Sequence, residues 1–168
     1  MSVIDDVTIR TDLKPGDIER IIQMHGSLYQ REYQFTPAFE EYVAQGLQEF
    51  IKRYDPVRDR VWICEQDVHL IGFLLLMHRP ERLAQLRYFI LEPDFRGKGL
   101  GKRLMDLFMK FLKEVNYYGA YLWTTNAQIE AAVLYNRYGF KLTEEKKSNA
   151  FGRPLIEQRY DYRLSEPL

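Results

Sequence analysis

Three glycines at alternate positions, Gly97, Gly99 and Gly101, stand among basic side chains in residues 91–102. Glycine has no Cβ, so the backbone can approach a ligand closely, and the unpaired N–H groups at the start of a helix attract an anion. Nearby cations would add to that attraction. They are Arg96, Lys98, Lys102 and Arg103. The segment therefore predicts a local phosphate-binding turn between a strand and a helix.

Two familiar phosphate motifs do not fit this turn. The P-loop needs a hydroxyl residue after its lysine, and Lys102 is followed by Arg103. The dinucleotide fingerprint needs a third glycine at position 102 and a preceding βαβ unit, neither of which is present. A tight strand-to-helix connection with no ligand is the remaining alternative. We therefore expect neither nucleotide hydrolysis nor a nicotinamide cofactor.

Hydrophobic periodicity predicts the elements that must position the turn. Alternation of apolar and polar residues predicts strands, and spacing near 3.6 residues predicts helices. A first strand precedes two amphipathic helices, and a three-stranded antiparallel meander then leads into the turn and a long helix. A strand, a short helix and final strands follow. We therefore expect an α/β fold with a mixed, mostly antiparallel sheet of about seven strands and helices on both faces. The predicted segments are 7–10, 18–29, 36–51, 61–65, 69–78, 86–91, 99–119, 121–125, 131–138, 141–143 and 155–164.

Length and composition limit the class of protein. The chain has 168 residues, with 24 Lys and Arg against 24 Asp and Glu, so no overall positive field exists to hold nucleic acid. Its single cysteine cannot form an internal disulfide, and no Cys/His spacing offers a zinc site. The longest apolar stretch, residues 71–77, is too short to span a bilayer, and no secretory signal is visible. We expect one cytoplasmic domain over residues 1–168, with no metal, nucleic-acid partner or membrane association.

The turn and a second segment resemble the GCN5-related N-acetyltransferases, the GNAT family. Residues 96–101, Arg-Gly-Lys-Gly-Leu-Gly, are similar to the family's Arg/Gln-x-x-Gly-x-Gly/Ala motif, which binds the pyrophosphate of acetyl-coenzyme A. Residues 131–140 are similar to its A-x-x-L-Y-x-x-x-G-F segment, and residues 86–93 resemble its fourth strand. Residues 25–33 and 151–158 are similar to a bacterial subgroup often fused to winged-helix regulators. The resemblance implies acetyl transfer from acetyl-coenzyme A to a primary amine by direct attack in a ternary complex.

The resemblance also assigns roles near the thioester. Residues 89–91 would pair through the backbone with the pantetheine arm, and a backbone N–H of this strand would support the oxyanion. Tyr135 falls on the family's tyrosine and would protonate the departing thiolate, because its ordinary pKa near 10 keeps it protonated at neutral pH. A core role for Tyr135 is the alternative, since it shares a helical face with Ala131 and Leu134.

One position departs from the family pattern. Members often carry an asparagine seven residues before the tyrosine, where this chain has Gln128, so Gln128 or Asn126 would take over its contact with the pantetheine. The resemblance therefore implies Tyr135 as the catalytic residue and acetyl-coenzyme A as the co-substrate. The implied cofactor-binding residues are Phe89, Ile90, Leu91, Arg96, Gly97, Lys98, Gly99, Leu100, Gly101, Lys102, Asn126, Gln128 and Tyr135.

The general base is not identified by the sequence. The positions where some family members carry a glutamate fall near Gln85 and at Trp123, and neither side chain accepts a proton usefully. Other carboxylates and imidazoles could lie near the cleft, although structural or surface roles are their simpler interpretation. They are Glu32, Glu65, Glu92, Glu157, His25 and His78.

Aromatic residues suggest the acceptor side of the site. They make up 14% of the chain, and several lie where the family usually builds its acceptor cleft, which would suit a cationic or aromatic amine. Packing in the core is the alternative for most of them. We expect a small-molecule or peptide amine as acceptor, with a homodimer as an option, and a non-catalytic acetyl-coenzyme A sensor or interaction module as the alternative function. The aromatic candidates are Tyr29, Tyr33, Phe35, Tyr42 and Tyr88.

Overall fold

The computed structural model describes residues 5–164, which form a seven-stranded sheet with four helices. The strand order is β1-β2-β3-β4-β5-β7-β6, and β4 and β5 are parallel while the other neighbours are antiparallel. The expected mixed α/β fold is confirmed. Its elements are β1 (Thr8–Arg10), α1 (Asp17–Tyr33), α2 (Pro37–Lys52), β2 (Arg60–Gln66), β3 (His69–Arg79), β4 (Leu83–Leu91), α3 (Leu100–Glu114), β5 (Gly119–Thr125), α4 (Ile129–Arg137), β6 (Lys141–Ser148) and β7 (Leu155–Arg163).

The sheet separates two hydrophobic cores. On β3, Leu74 and Leu76 belong to the core beneath α3, whereas Phe73 and Leu75 belong to the core beneath α1 and α2. Successive side chains of a strand point to opposite faces, so a strand covered on both sides reads as a continuous apolar run. The apolar stretch at residues 71–77 therefore reflects burial on two faces. Within residues 5–164, no helix combines the length and apolar character needed to cross a membrane.

The last strands differ in extent from the sequence-based prediction. The strand predicted at residues 141–143 continues as β6 to Ser148, and seven of its eight residues are exposed and five are charged. It pairs only with β7, at the edge of the sheet. Charged side chains are typical of edge strands, because they discourage pairing with other chains, and they also hide the apolar alternation by which strands are recognised.

The cleft in the middle of the sheet arises where β4 and β5 diverge. Their parallel pairing covers only Leu83–Gln85 and Gly119–Tyr121, so the later part of β4 has no neighbour on that side. On its other side β4 pairs with β3 through a bulge opposite Leu74, where Tyr88 adopts a φ of 59°. A bulge bends a strand and redirects its side chains. The divergence therefore leaves backbone groups of β4 facing an open space.

Candidate functional site

The predicted phosphate turn lies between β4 and α3. Gly97 and Gly99 have φ values of 69° and 91°, and a Cβ at either position would have no heavy atom within 4 Å. This left-handed conformation favours glycine, and the space beside it is open. The first bond of the helix runs from the Arg103 N–H to the Gly99 carbonyl at 3.0 Å. The N–H groups of residues 100–102 therefore lack helical partners and can bind an anion.

A cleft of about 480 Å³ leads from this turn between the end of β4 and α4. The size suits a ligand larger than a single amino acid. Most of the residues that the resemblance assigned to the cofactor line this cleft, so the structure brings together parts separated along the chain. They are Phe89, Ile90, Leu91, Arg96, Gly97, Gly99, Gly101, Lys102, Gln128 and Tyr135.

Three residues of the expected set do not line the cleft. Lys98 Nζ donates to the Asp94 carbonyl at 2.7 Å, and the Leu100 side chain is buried in the core. The Asn126 side chain accepts a hydrogen bond from the Ile156 N–H at 3.0 Å. Asn126 thus holds the end of β5 against β7, and the amide that reaches the cleft is that of Gln128.

Arg96 and Glu32 form an ion pair, the Arg96–Glu32 clamp, which joins the turn to α1. The Arg96 Nε donates to the Leu91 carbonyl at 3.0 Å, and its Nη2 lies 2.7 Å from the Glu32 carboxylate on α1. The pair is partly buried, so Glu32 neutralises much of the charge that the sequence suggested for phosphate binding. Arg96 therefore connects the turn to α1.

Arg137 is a cleft residue that is absent from the predicted set. It lies in the last turn of α4, lines the cleft and makes no ion pair within residues 5–164. Its position inside the segment that resembles the second family motif was the available signal. A free guanidinium at this place can bind a phosphate group.

A second pocket lies on the α1 and α2 side of the diverging strands. Its aromatic rings pack on one another, with Tyr29 and Phe39 stacked at 4.9 Å and Phe39 against Phe151 at 5.0 Å. Tyr33, expected in this pocket, lines the first cleft instead. The aromatic lining consists of Tyr29, Phe35, Phe39, Tyr42, Tyr88, Phe89, Trp123, Tyr135 and Phe151.

The cleft and the pocket meet at Tyr29, Phe89, Gln128 and Tyr135, which line both. Gln128 Nε2 donates to the Tyr29 hydroxyl at 3.1 Å, and this hydroxyl donates to the Phe89 carbonyl at 3.4 Å. The Tyr135 hydroxyl makes no hydrogen bond within the described residues. Burial raises the pKa of both tyrosines, so both stay protonated at neutral pH.

Several of the acid and base candidates have partners elsewhere. Glu65 pairs with Arg10 near β1, and His78 Nδ1 lies 2.7 Å from the buried Asp59 carboxylate. Glu92 lines neither the cleft nor the pocket. None of these three residues, nor the clamped Glu32, lines the cleft or the pocket.

His25 and Glu157 are the candidates that line the aromatic pocket. His25 Nδ1 donates to the Ile21 carbonyl at 2.8 Å, and its Nε2 has no hydrogen-bond partner among the described residues. Burial lowers the pKa of His25 to about 4, so the ring is neutral at physiological pH. In the part of the chain that the structure describes, no three His, Cys, Asp or Glu side chains form a metal site.

Known proteins match both the sequence and the fold. The chain is 30% identical over 118 residues to N-acetyltransferase family 8 member 2 of Rattus norvegicus, covering 65% of this chain and 52% of that protein. The chain spans about half the length of this curated relative. A GNAT-family acetyltransferase from Staphylococcus aureus Mu50 has the same fold, with a TM-score of 0.75, 18% identity, and coverage of 95% of this chain and 99% of that chain.

A second solved structure was determined with a ligand. PaiA N-acetyltransferase from Thermoplasma acidophilum, in complex with coenzyme A, has a TM-score of 0.70 and 20% identity, and the match covers 98% of this chain and all of that one. The model of the acetyltransferase (GNAT) family matches residues 21–140, which contain the turn, both diverging strands and the Tyr135 helix. The chain therefore belongs to the GNAT family of acetyltransferases.

Proposed function

We propose that this protein transfers an acetyl group from acetyl-coenzyme A to a primary amine by direct attack in a ternary complex. The proposal rests on one observation, which is that the cleft and the pocket meet at Tyr135. One space begins at a turn suited to a diphosphate, and the other is an aromatic pocket suited to a second substrate. Direct transfer requires the donor and the acceptor to meet in this way.

The donor side fits acetyl-coenzyme A. The N–H groups at the start of α3 would hold the pyrophosphate, with Gly97 and Gly99 leaving room for it. The unpaired backbone of β4 at residues 89–91 would bind the pantetheine arm as an added strand would bind. The relative from Thermoplasma acidophilum, crystallised with coenzyme A, supports this choice of co-substrate. Acetyl-coenzyme A supplies the activated acetyl group as a thioester.

The residues at the junction would then assist the transfer. A new C–N bond forms as the C–S bond breaks, and a backbone N–H at the bulge of β4 would stabilise negative charge on the carbonyl oxygen. Tyr135 would donate its hydroxyl proton to the departing sulfur. The proton lost by the amine would return to Tyr135 through solvent, which restores the starting state and balances the reaction.

The test is release of free thiol from acetyl-coenzyme A over a panel of amines, combined with calorimetry of coenzyme A binding. We expect coenzyme A to bind and thiol to appear only when a suitable amine is present. Binding without release over a broad panel would instead support a non-catalytic sensor. Absence of coenzyme A binding would refute both functions.

A further inference from the structure

Three arginines beside the aromatic pocket share one carboxylate. Glu49 on α2 lies 2.9 Å from Arg53 Nη1, 2.8 Å from Arg79 Nη1 and 3.7 Å from Arg87 Nη1. Within residues 5–164, no other carboxylate pairs with these guanidinium groups. The cluster therefore carries an excess of positive charge, and Arg87 has the longest of the three contacts.

Arg87 is also the most buried of the three. Its side chain is 9% exposed, compared with 19% for Arg79 and 40% for Arg53. Its one hydrogen bond among the described residues is a long one, from Nη2 to the Tyr42 hydroxyl at 3.4 Å. A buried charge is costly unless ions or hydrogen bonds compensate it. Arg87 therefore has donors available for an anion.

The surroundings hold the guanidinium in place. It lies over the Tyr88 ring, 4.7 Å from the ring centre. On the α2 side, the missing Cβ of Gly46 leaves space for both side chains. A Cβ at this position would lie 2.7 Å from Arg87 Nη2 and 1.6 Å from the Tyr88 hydroxyl oxygen. A stacked, immobilised guanidinium can bind a carboxylate through two parallel hydrogen bonds at little entropic cost.

Arg87 lies on β4 close in sequence to the junction of the cleft and the pocket. Gln85 is the last residue of β4 that pairs with β5, and Arg87 follows where the strands diverge. Phe89, at the junction of the two spaces, is two residues further on, just past the bulge at Tyr88. One small molecule can therefore contact Arg87 while its amine reaches the junction.

Two further ionisable side chains of the pocket, Glu157 and His25, are consistent with binding of an amine near Arg87. Glu157 lines the pocket from β7, opposite Thr125, and pairs with no cation among the described residues. His25 is neutral at physiological pH. The pocket thus presents a cation on β4, a carboxylate on β7 and aromatic rings between them, which matches a molecule bearing both a carboxylate and an amine.

We propose, on the basis of the proposed function, that the acceptor is an amino-acid-like amine whose carboxylate binds Arg87 and whose apolar or aromatic body fills the pocket. Its amine is then directed to the junction at Phe89 and Tyr135. Arg87 is the specificity-determining residue in this arrangement, because an amine without a carboxylate leaves the guanidinium buried and only partly compensated by Glu49.

The test compares amines that differ only in the carboxylate. L-Phenylalanine is measured against phenethylamine, and L-tryptophan against tryptamine, by thiol release and by calorimetry on the coenzyme A complex. The wild-type protein is expected to prefer the amino acids in kcat/KM by about tenfold or more, the size of one charge-assisted contact. Arg87→Gln should remove this preference, with little change for phenethylamine and tryptamine. Arg53→Gln, which changes an exposed arginine on the same Glu49, should keep it.

Folding is checked by thermal melting, and Arg87→Lys, which keeps the charge without the planar fork, should retain part of the preference. The inference is wrong if the decarboxylated amines are the better acceptors of the wild type, or if Arg87→Gln weakens both classes equally. It is also wrong if neither amino acid binds nor reacts. If L-phenylalanine binds in an Arg87-dependent manner and no amine releases thiol, the binding site stands and the proposed transfer fails.

Discussion

Gln128 Nε2 donates a hydrogen bond of 3.1 Å to the Tyr29 hydroxyl, which joins the start of α4 to α1 across 99 residues of sequence. Both residues line both the cleft and the pocket. Gln128 is held in turn, because its Oε1 accepts hydrogen bonds from the Thr124 hydroxyl at 2.8 Å and the Thr125 N–H at 3.1 Å. This bridge lies where the cleft and the pocket meet, so we expect its loss to affect the transfer more than the binding of either substrate.

Tyr29→Phe removes the bridge while keeping the ring. We expect kcat to fall by about tenfold and stability by about 1 kcal/mol, the usual contribution of one buried hydrogen bond. Coenzyme A affinity, measured by calorimetry, should change little. Tyr54→Phe, at an exposed tyrosine after α2, is the matched control and should alter neither quantity. An unchanged kcat in Tyr29→Phe would show that the bridge does not position the substrates.

Tyr135→Phe removes the proposed proton donor. Loss of a general acid lowers turnover by about 10²-fold or more, whereas coenzyme A affinity and thermal stability should be preserved, because the hydroxyl makes no hydrogen bond in the described part of the chain. Tyr160→Phe is the control, since Tyr160 is equally buried at 6% exposure, its ring lies 6.3 Å from that of Tyr135, and it lines neither space. Equal turnover in the two variants would rule out the acid role.

Gly99→Ala tests the phosphate turn. Gly99 has a φ of 91°, so a side chain there strains the backbone and projects toward the cleft. We expect the dissociation constant for coenzyme A to rise by about tenfold or more. Gly16 caps α1 with a φ of 94° and equally open surroundings, so Gly16→Ala introduces the same strain away from the site. The idea is refuted if the two variants bind coenzyme A alike.

Arg137→Gln tests whether the Arg137 guanidinium in the cleft binds the 3′-phosphate of coenzyme A. The experiment measures binding of coenzyme A and of dephospho-coenzyme A, which lacks the 3′-phosphate. We expect about tenfold weaker binding of coenzyme A and unchanged binding of the dephospho form, because one charge-assisted contact is lost. Lys147→Gln on the exposed β6 strand should change neither. Equal weakening for both ligands would contradict the assignment to the 3′-phosphate.

His25→Phe tests whether the buried neutral imidazole makes the free energy of unfolding depend on pH. The unfolded chain takes up the His25 proton near pH 6.5, whereas the folded protein does so near pH 4, so the free energy of unfolding falls as the pH drops between these values. The full effect is about 3 kcal/mol. Denaturant unfolding from pH 7 to pH 4 should show a smaller loss in His25→Phe than in the wild type. His69→Gln, at an exposed histidine, should keep the wild-type slope.

The sequence alone was sufficient for features that depend on neighbouring residues. The strand and helix periods, the glycines at 97 and 99, and the position of Tyr135 in its motif are local, so the order of elements and the position of the glycine-rich turn could be predicted. The length of β6 could not, because the charged residues of an exposed edge strand leave no apolar alternation to recognise.

Only the tertiary structure decided which distant residues meet. The divergence of β4 and β5, the Arg96–Glu32 clamp, the bridge between Tyr29 and Gln128, and the partly compensated Arg87 depend on how helices pack on a twisted sheet. The same packing turned the Asn126 side chain away from the cleft and placed His25 in the pocket. Local preferences determine how each segment folds, whereas the partner of a side chain is determined by packing energies summed over the whole chain, which no single segment encodes.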